Sequence, residues 1–90
     1  MNTNDIKEMI IDNGYEDIII FENPGYESAF IGISEDNRAV YDFDRMVEYL
    51  CENDGMEPMD AIEFIEYNTI RACGYMGENY PIIVRPLIEF

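Results

Sequence analysis

Twenty acidic residues against five basic ones are the feature that most limits how this chain of 90 residues can fold. They give a formal net charge of −15, and such a field costs stability through self-repulsion and attracts cationic partners. Hydrophobic residues still make up 48% of the chain, which is more than a disordered chain carries. The sequence therefore predicts a single domain over residues 1–90 with one modest core.

Three stretches have the apolar spacing and the punctuation of helices. Residues 3–13 carry apolar side chains at i, i+3 and i+4 and end at a glycine. Residues 43–53 follow a capping aspartate and end before Gly55. Residues 58–73 begin with Pro58, which suits the first position of a helix.

Strands are expected where β-branched and aromatic residues lie between turn signals. Turns at Asn23-Pro24-Gly25 and at Glu35–Asn37 separate three such segments, which predicts a β-meander. A fourth segment lies between Pro81 and Pro86, so it should be short or at a sheet edge. The predicted strands are residues 18–21, 27–34, 39–41 and 82–85.

These elements predict an α+β fold in the order α-β-β-β-α-α-β. The expected sheet is antiparallel and has three to four strands, namely the β-meander plus the C-terminal strand, with the helices packed on one face. The predicted core consists of Ile10, Ile19, Ile31, Ile33, Val40, Val47, Leu50, Ile62 and Ile65.

Most catalytic and metal-binding patterns are missing from the sequence. The chain has no histidine, the commonest general base and transition-metal ligand. Its two cysteines, Cys51 and Cys73, lie more than twenty residues apart and do not make a zinc motif. The loops at 34–37 and 53–55 offer oxygen ligands but do not match a calcium-binding loop. The sequence therefore predicts a protein that is not an enzyme and binds no cofactor or metal.

The Met1 end has neither a basic segment nor an apolar one of the kind that directs export. No stretch approaches the roughly 20 apolar residues of a membrane span. We therefore expect a cytoplasmic protein, with Cys51 and Cys73 as reduced thiols in the core. The few bases are scattered, which argues against direct binding to nucleic acid or to an anionic membrane.

Two helices should each carry a row of carboxylates. Asp44, Glu48 and Glu52 are four residues apart, and Asp60, Glu63 and Glu66 are three apart. Each row can be a solvated helix face, a surface that binds a partner, or a source of paired catalytic carboxylates. With one tyrosine on each helix as an anchor, the candidate partner-binding residues are Asp44, Glu48, Tyr49, Glu52, Asp60, Glu63, Glu66 and Tyr67.

Residues 68–83 are the least generic segment. Asn68 and Thr69 are poor choices inside a helix, and Arg71 is one of only five bases. One interpretation is structural, with Arg71 paired to an acid and Asn68 bonded to the loop backbone. The other is functional, with residues 75–77 forming an aromatic contact surface together with Tyr67 and Tyr80.

Three stretches resemble a group of short, acidic, uncharacterised proteins from Firmicutes and their phages. They are Ile31-Gly32-Ile33-Ser34 followed by Arg38-Ala39-Val40-Tyr41-Asp42, then Asp54-Gly55-Met56 leading into Ala61-Ile62-Glu63, then residues 68–83, and together they cover about two-thirds of the chain. The third is the most specific. The resemblance implies a small domain of bacterial or phage origin and brings no activity with it. The group has a larger apolar residue or a proline near Cys73-Gly74, which implies a loop of different shape here.

Two functional hypotheses remain. In the first, the chain is a binding module whose acidic surface occupies a basic groove on a partner protein. Small phage-type inhibitors, including anti-CRISPR and other DNA-mimic proteins, act in this way, and the analogy is one of charge. In the second, it is a housekeeping or structural domain whose acidity serves solubility only. The sequence leaves the oligomeric state open, including a homodimer.

Overall fold

Three helical regions and a short sheet make up the computed structural model, which describes residues 2–88. Helix α1 spans Thr3–Asp12 and is capped by Asn2, whose side chain accepts a hydrogen bond from the backbone of Asp5. Helix α2 spans Phe43–Asp54. It begins after Asp42, which accepts from the Arg45 backbone at 3.2 Å.

The third region is one continuous helical run that we call the C-terminal helix. It consists of an α-helical part, Pro58–Phe64, a π-helical part, Ile65–Thr69, and a further α-helical part, Ile70–Cys73. Gly55 separates it from α2 and takes the left-handed conformation, with φ 68°, that glycine adopts most easily. The three predicted helices are therefore confirmed, and only the π-helical part was not expected.

The sheet has three strands, β1 (Phe30–Ile33), β2 (Ala39–Asp42) and β3 (Ile82–Val84), in that spatial order. β1 and β2 form the predicted antiparallel hairpin, whereas β3 lies parallel to β2. The expectation of a wholly antiparallel sheet is therefore wrong. Two helices in succession carry the chain from β2 back to the end of the sheet where β2 began, so β3 runs in the same direction. β3 is short and lies at an edge, as its flanking prolines predicted.

The predicted strand at 18–21 is not a strand, because its backbone does not pair with the sheet. Ile20 and Phe21 are nevertheless buried, and the Phe21 N–H donates to the Tyr41 hydroxyl at 3.1 Å. The apolar composition of residues 18–21 therefore indicates that the segment is partly buried, and it does not indicate that its backbone pairs with a strand. The start of the next predicted strand, Glu27–Ala29, is a 3-10 turn, so the meander is reduced to one hairpin.

One cluster of buried side chains from all three helical regions and the sheet forms the core. Ile10, Leu50 and Ile65 are buried as predicted, but Ile31 is 37% exposed. Ile31 lies at an irregularity in the pairing of β1 with β2, which turns its side chain outward. The other predicted core residues, Ile19, Ile33, Val40, Val47 and Ile62, are half-buried. No helix among the described residues is long and apolar enough to cross a membrane.

Candidate functional site

The carboxylates of α2 form an exposed row with one base, Arg45, beside its first acid. Asp44, Glu48 and Glu52 are all exposed, while the opposite side of the helix buries Phe43 and Leu50. A rise of about 1.5 Å per residue places successive carboxylates about 6 Å apart along the axis. Arg45 is three residues before Glu48, at the spacing of a helical ion pair, but its Nε lies 3.8 Å from Oδ2 of Asp42 instead. None of its acids takes part in an ion pair between residues 2–88.

The acidic row of the C-terminal helix is partly neutralised. Asp60, Glu63 and Glu66 are exposed, and Glu66 Oε1 lies 3.4 Å from Nη2 of Arg85. The guanidinium of Arg85 also lies 3.8 Å from the centroid of the Phe43 ring. Arg85 thus connects the end of this row to the start of α2. Asp60 and Glu63 form no ion pair with any described residue.

The two tyrosines named as anchors have different surroundings. Tyr67 is 62% exposed on the C-terminal helix and can meet a partner. Tyr49 is half-buried, and its ring centroid lies 5.5 Å from that of Tyr26. Burial, together with Glu27 beside the hydroxyl, raises the pKa of Tyr49. Tyr49 therefore contributes packing between α2 and the Tyr26 loop, and less of its surface faces outward than its position in the sequence indicated.

A groove beside the α2 row was not expected from the sequence. Its volume is about 450 Å³, and its walls include Asp44, Arg45, Glu48, Pro86, Leu87 and Ile88. Leu87 is 97% exposed and Ile88 is 80% exposed, which is unusual for large apolar side chains next to carboxylates. Sequence reasoning treated Pro86 only as the end of a strand. The sequence signal that could have revealed the groove is the apolar pair Leu87 and Ile88 directly after that proline.

The described residues provide no metal centre. Residues 2–88 contain no group of three or more cysteine or acidic side chains arranged to hold an ion. In the turn between β1 and β2, the Ser34 hydroxyl donates to Asp36 and accepts from the Arg38 backbone at 3.1 Å. In this loop, the Ser34 and Asp36 oxygens considered for calcium are therefore hydrogen-bonded within the turn itself. Of the two thiols, Cys73 is buried and Cys51 half-buried, and burial raises the pKa of Cys73.

The 68–83 segment fits neither of its two interpretations as a whole. Arg71 is exposed and makes no ion pair with another described residue, and Asn68 is exposed at the wall of a cavity. Tyr80 is covered by the guanidinium of Arg38 at 4.3 Å, so that ring serves the fold. Tyr75 is 93% exposed, and no guanidinium among residues 2–88 stacks on it or on Tyr67.

No family model, no curated protein and no solved structure matches this chain significantly. The resemblance to short acidic proteins of Firmicutes and their phages therefore stays a prediction.

Proposed function

We propose that this chain is a small, non-enzymatic, acidic binding module that acts in the cytoplasm and occupies a basic groove on a partner protein, as phage-type inhibitors do. One observation supports the proposal most strongly. The exposed α2 row of Asp44, Glu48 and Glu52 lies beside the exposed apolar pair Leu87 and Ile88. At this place, acids that form no ion pair with another described residue lie beside large apolar side chains that are mostly exposed.

The two features have different roles in association. A field from fifteen net negative charges attracts a basic protein over a distance and raises the rate of encounter. Exposed charge pairs contribute little to affinity, so the lifetime of a complex must come from buried apolar anchors. Leu87 and Ile88 offer such anchors next to the α2 row, and Tyr67 offers one on the C-terminal helix.

The spacing of the α2 row bears on whether the module imitates nucleic acid. Its carboxylates are about 6 Å apart along the helix axis, whereas one DNA strand carries a phosphate about every 3.4 Å. The row is thus about half as dense as one strand. It matches the overall sign of DNA rather than its phosphate spacing. We therefore expect competition with DNA for a shared groove, without an exact copy of DNA contacts.

The alternative is a housekeeping domain whose acids serve solubility only. Exposed acids also occur far from the α2 row, for example Glu16 before the first buried loop and Glu35 in the β1–β2 turn. If solubility alone explains the charge, the position of an acid should not matter. The two hypotheses therefore differ in whether binding depends on one face.

The test measures partner capture by the immobilised protein in bacterial lysate, followed by affinity measurement on each purified partner. The variant Asp44→Lys/Glu48→Lys reverses two charges of the α2 row. The control variant Glu16→Lys/Glu35→Lys makes the same change in net charge at exposed positions elsewhere. We expect the first variant to lose the partner at least about tenfold more than the control, and duplex DNA to compete with the wild-type complex.

Two results would count against the proposal. Equal loss in both variants would mean that the whole field acts and that α2 is not the binding face. An absence of any partner whose affinity falls with added salt would favour the solubility alternative.

A further inference from the structure

A second candidate site, an open pocket, lies toward the opposite end of the C-terminal helix from Pro58. Residues 21–26 and the π-helical part of that helix surround a cavity of about 240 Å³. Phe21 and Phe64 contribute aromatic walls, and Met76 also lines the pocket. The exposed side chains of Glu22 and Asn68 also line it, so the apolar interior has polar groups at its mouth.

The π-helical part explains why this cavity exists. The Ile70 N–H donates to the Ile65 carbonyl, one residue further back than in an α-helix. The wider turn directs Thr69 into the core, where its hydroxyl lies 2.5 Å from that of Tyr26. Asn68 and Ala72, four residues apart, then face the cavity on one wall. The poor helix formers noted at 68 and 69 therefore shape a pocket, and π-bulges of this kind occur often at functional sites.

The loop on the other wall is held in place by buried contacts. Tyr26 is 0% exposed and has φ 50°, a conformation that residues with a side chain rarely adopt. Gly25 is buried, and a Cβ there would lie 2.9 Å from Thr3 Oγ1 and closer still to the Glu27 carboxylate, so these side chains would have to shift. The Phe21 ring packs at 5.6 Å from that of Tyr26. The pocket is therefore preformed, which lowers the ordering cost of binding.

The volume decides what size of ligand fits. Sites for drug-sized ligands and cofactors occupy roughly 300–1,000 Å³, and this cavity is smaller. A single side chain of a partner protein fits the space. The stem of that side chain must contact apolar walls, and its polar end must bond to the Glu22 carboxylate and the Asn68 amide at the mouth of the pocket.

The chain itself shows how such surroundings hold a guanidinium group. Arg85 lies 3.8 Å from the centroid of the Phe43 ring while it bonds to Glu66 at 3.4 Å. Arg38 similarly stacks on Tyr80 at 4.3 Å. A flat cation over an aromatic ring beside a carboxylate is a stable arrangement that lysine does not reproduce, because an ammonium group is not planar.

We propose that this cavity binds one arginine side chain of the partner, with the guanidinium between Phe64 and Glu22 and the stem against Met76 and Ala72. The inference rests on the proposed function, since the partner is taken to be basic. Lys7 Nζ lies 2.8 Å from Glu22 Oε1, but both side chains are about half exposed. A surface pair of this kind contributes little, so an incoming arginine can share or displace it.

The test is an amide-detected NMR titration of the whole chain with three capped amino acids. N-acetyl-arginine amide is the probe, N-acetyl-citrulline amide its neutral isostere, and N-acetyl-norleucine amide its apolar counterpart. We expect saturable shifts at residues 68, 69, 72 and 76 with arginine. Citrulline should bind about tenfold more weakly, because charge-assisted hydrogen bonds are about twice as strong as neutral ones.

Two variants locate the effect. Ala72→Leu fills the cavity from an exposed helix position with a good helix former, so the fold should be kept. Glu22→Gln removes the carboxylate without changing shape. Both should abolish or reduce the arginine shifts at least about fivefold, whereas the matched Glu35→Gln control in the β1–β2 turn should leave them unchanged. Since Glu22→Gln alters no apolar contact, it remains informative if Ala72→Leu does not fold.

Equal binding of norleucine would overturn the proposal of a cationic ligand. Shifts spread over the acidic helix faces and unaffected by either variant would show that the field alone attracts arginine. This test is independent of the test of the proposed function, because the variant Asp44→Lys/Glu48→Lys should leave the arginine-induced shifts at the pocket unchanged. If Ala72→Leu retains the protein partner at full affinity, the pocket inference fails while the binding module stands.

Discussion

Replacing Thr69 by valine tests the contact that joins the Tyr26 loop to the C-terminal helix. The two hydroxyls lie 2.5 Å apart, and both residues are buried, with Tyr26 at 0% and Thr69 at 6% exposure. Valine has the shape of threonine and a similar helix propensity, so the main loss is the hydrogen bond. The Tyr26 hydroxyl is then left buried without its partner.

The expected cost follows from that unsatisfied group. A buried polar group without a hydrogen bond costs about 1–3 kcal/mol, more than the net value of the bond itself. In a domain of this size, each kcal/mol lowers Tm by roughly 4–8 °C, so Tm should fall by at least about 4 °C. Tyr26→Phe should cost less, because the remaining Thr69 hydroxyl can bond to a backbone carbonyl one turn back in the helix.

The assay is a double-mutant cycle measured by urea unfolding. Tyr26→Phe/Thr69→Val removes both partners and should cost clearly less than the sum of the two single variants. Thr3→Val is the matched control, because Thr3 donates to Glu27 only in a half-buried setting. If Thr69→Val stays within about 0.5 kcal/mol of wild type, or if the two single costs simply add, then the buried pair does not stabilise the pocket as argued.

Three further results are expected. Leu50→Ala, at a 0% exposed core position, should cost about 2–5 kcal/mol in chemical unfolding, whereas Ile11→Ala at a 68% exposed position should stay within about 0.5 kcal/mol; equal costs would mean that the helix faces are misassigned. Tm should rise between 0.01 M and 0.1 M salt, as the Debye length falls from about 30 Å, comparable with the 26–37 Å molecule, to about 10 Å; a flat or falling Tm would mean that the acids do not repel one another. Burial raises the pKa of Tyr26 and of Tyr41 to about 12 from 10.0. These two groups should therefore leave the free energy of unfolding unchanged below pH 10 and lower it between pH 10 and 12, by roughly 1.4 kcal/mol per pKa unit for each tyrosine. A normal tyrosinate titration of the folded protein would refute this.

The sequence by itself was sufficient for features that depend on neighbouring residues. Helix α2 begins after Asp42 and ends before Gly55 because a side-chain cap and a left-handed glycine act within one turn. The β1–β2 hairpin follows from a polar turn between two short apolar segments. The outward rows of acids follow from spacing alone, since residues four apart share a helix face.

Tertiary structure decided everything that needs a distant partner. The apolar run at 18–21 has the composition of a strand, but the backbone N–H of Phe21 donates to the Tyr41 hydroxyl and not to a neighbouring strand. The direction of β3 depended on where two successive helices returned the chain, and no local signal encodes that. Tyr49 has the spacing of a surface residue, yet its ring packs on Tyr26, 23 positions away in the sequence.

The cavity at the C-terminal helix shows both contributions at once. Asn68 and Thr69 were visible in the sequence as poor helix residues, which marked the place where the helix changes. Their roles appeared only with the fold, because the wider π turn is stabilised by a hydroxyl that arrives from residue 26. Local propensity can therefore show where a helix departs from regularity, whereas the long-range contact determines what that departure builds.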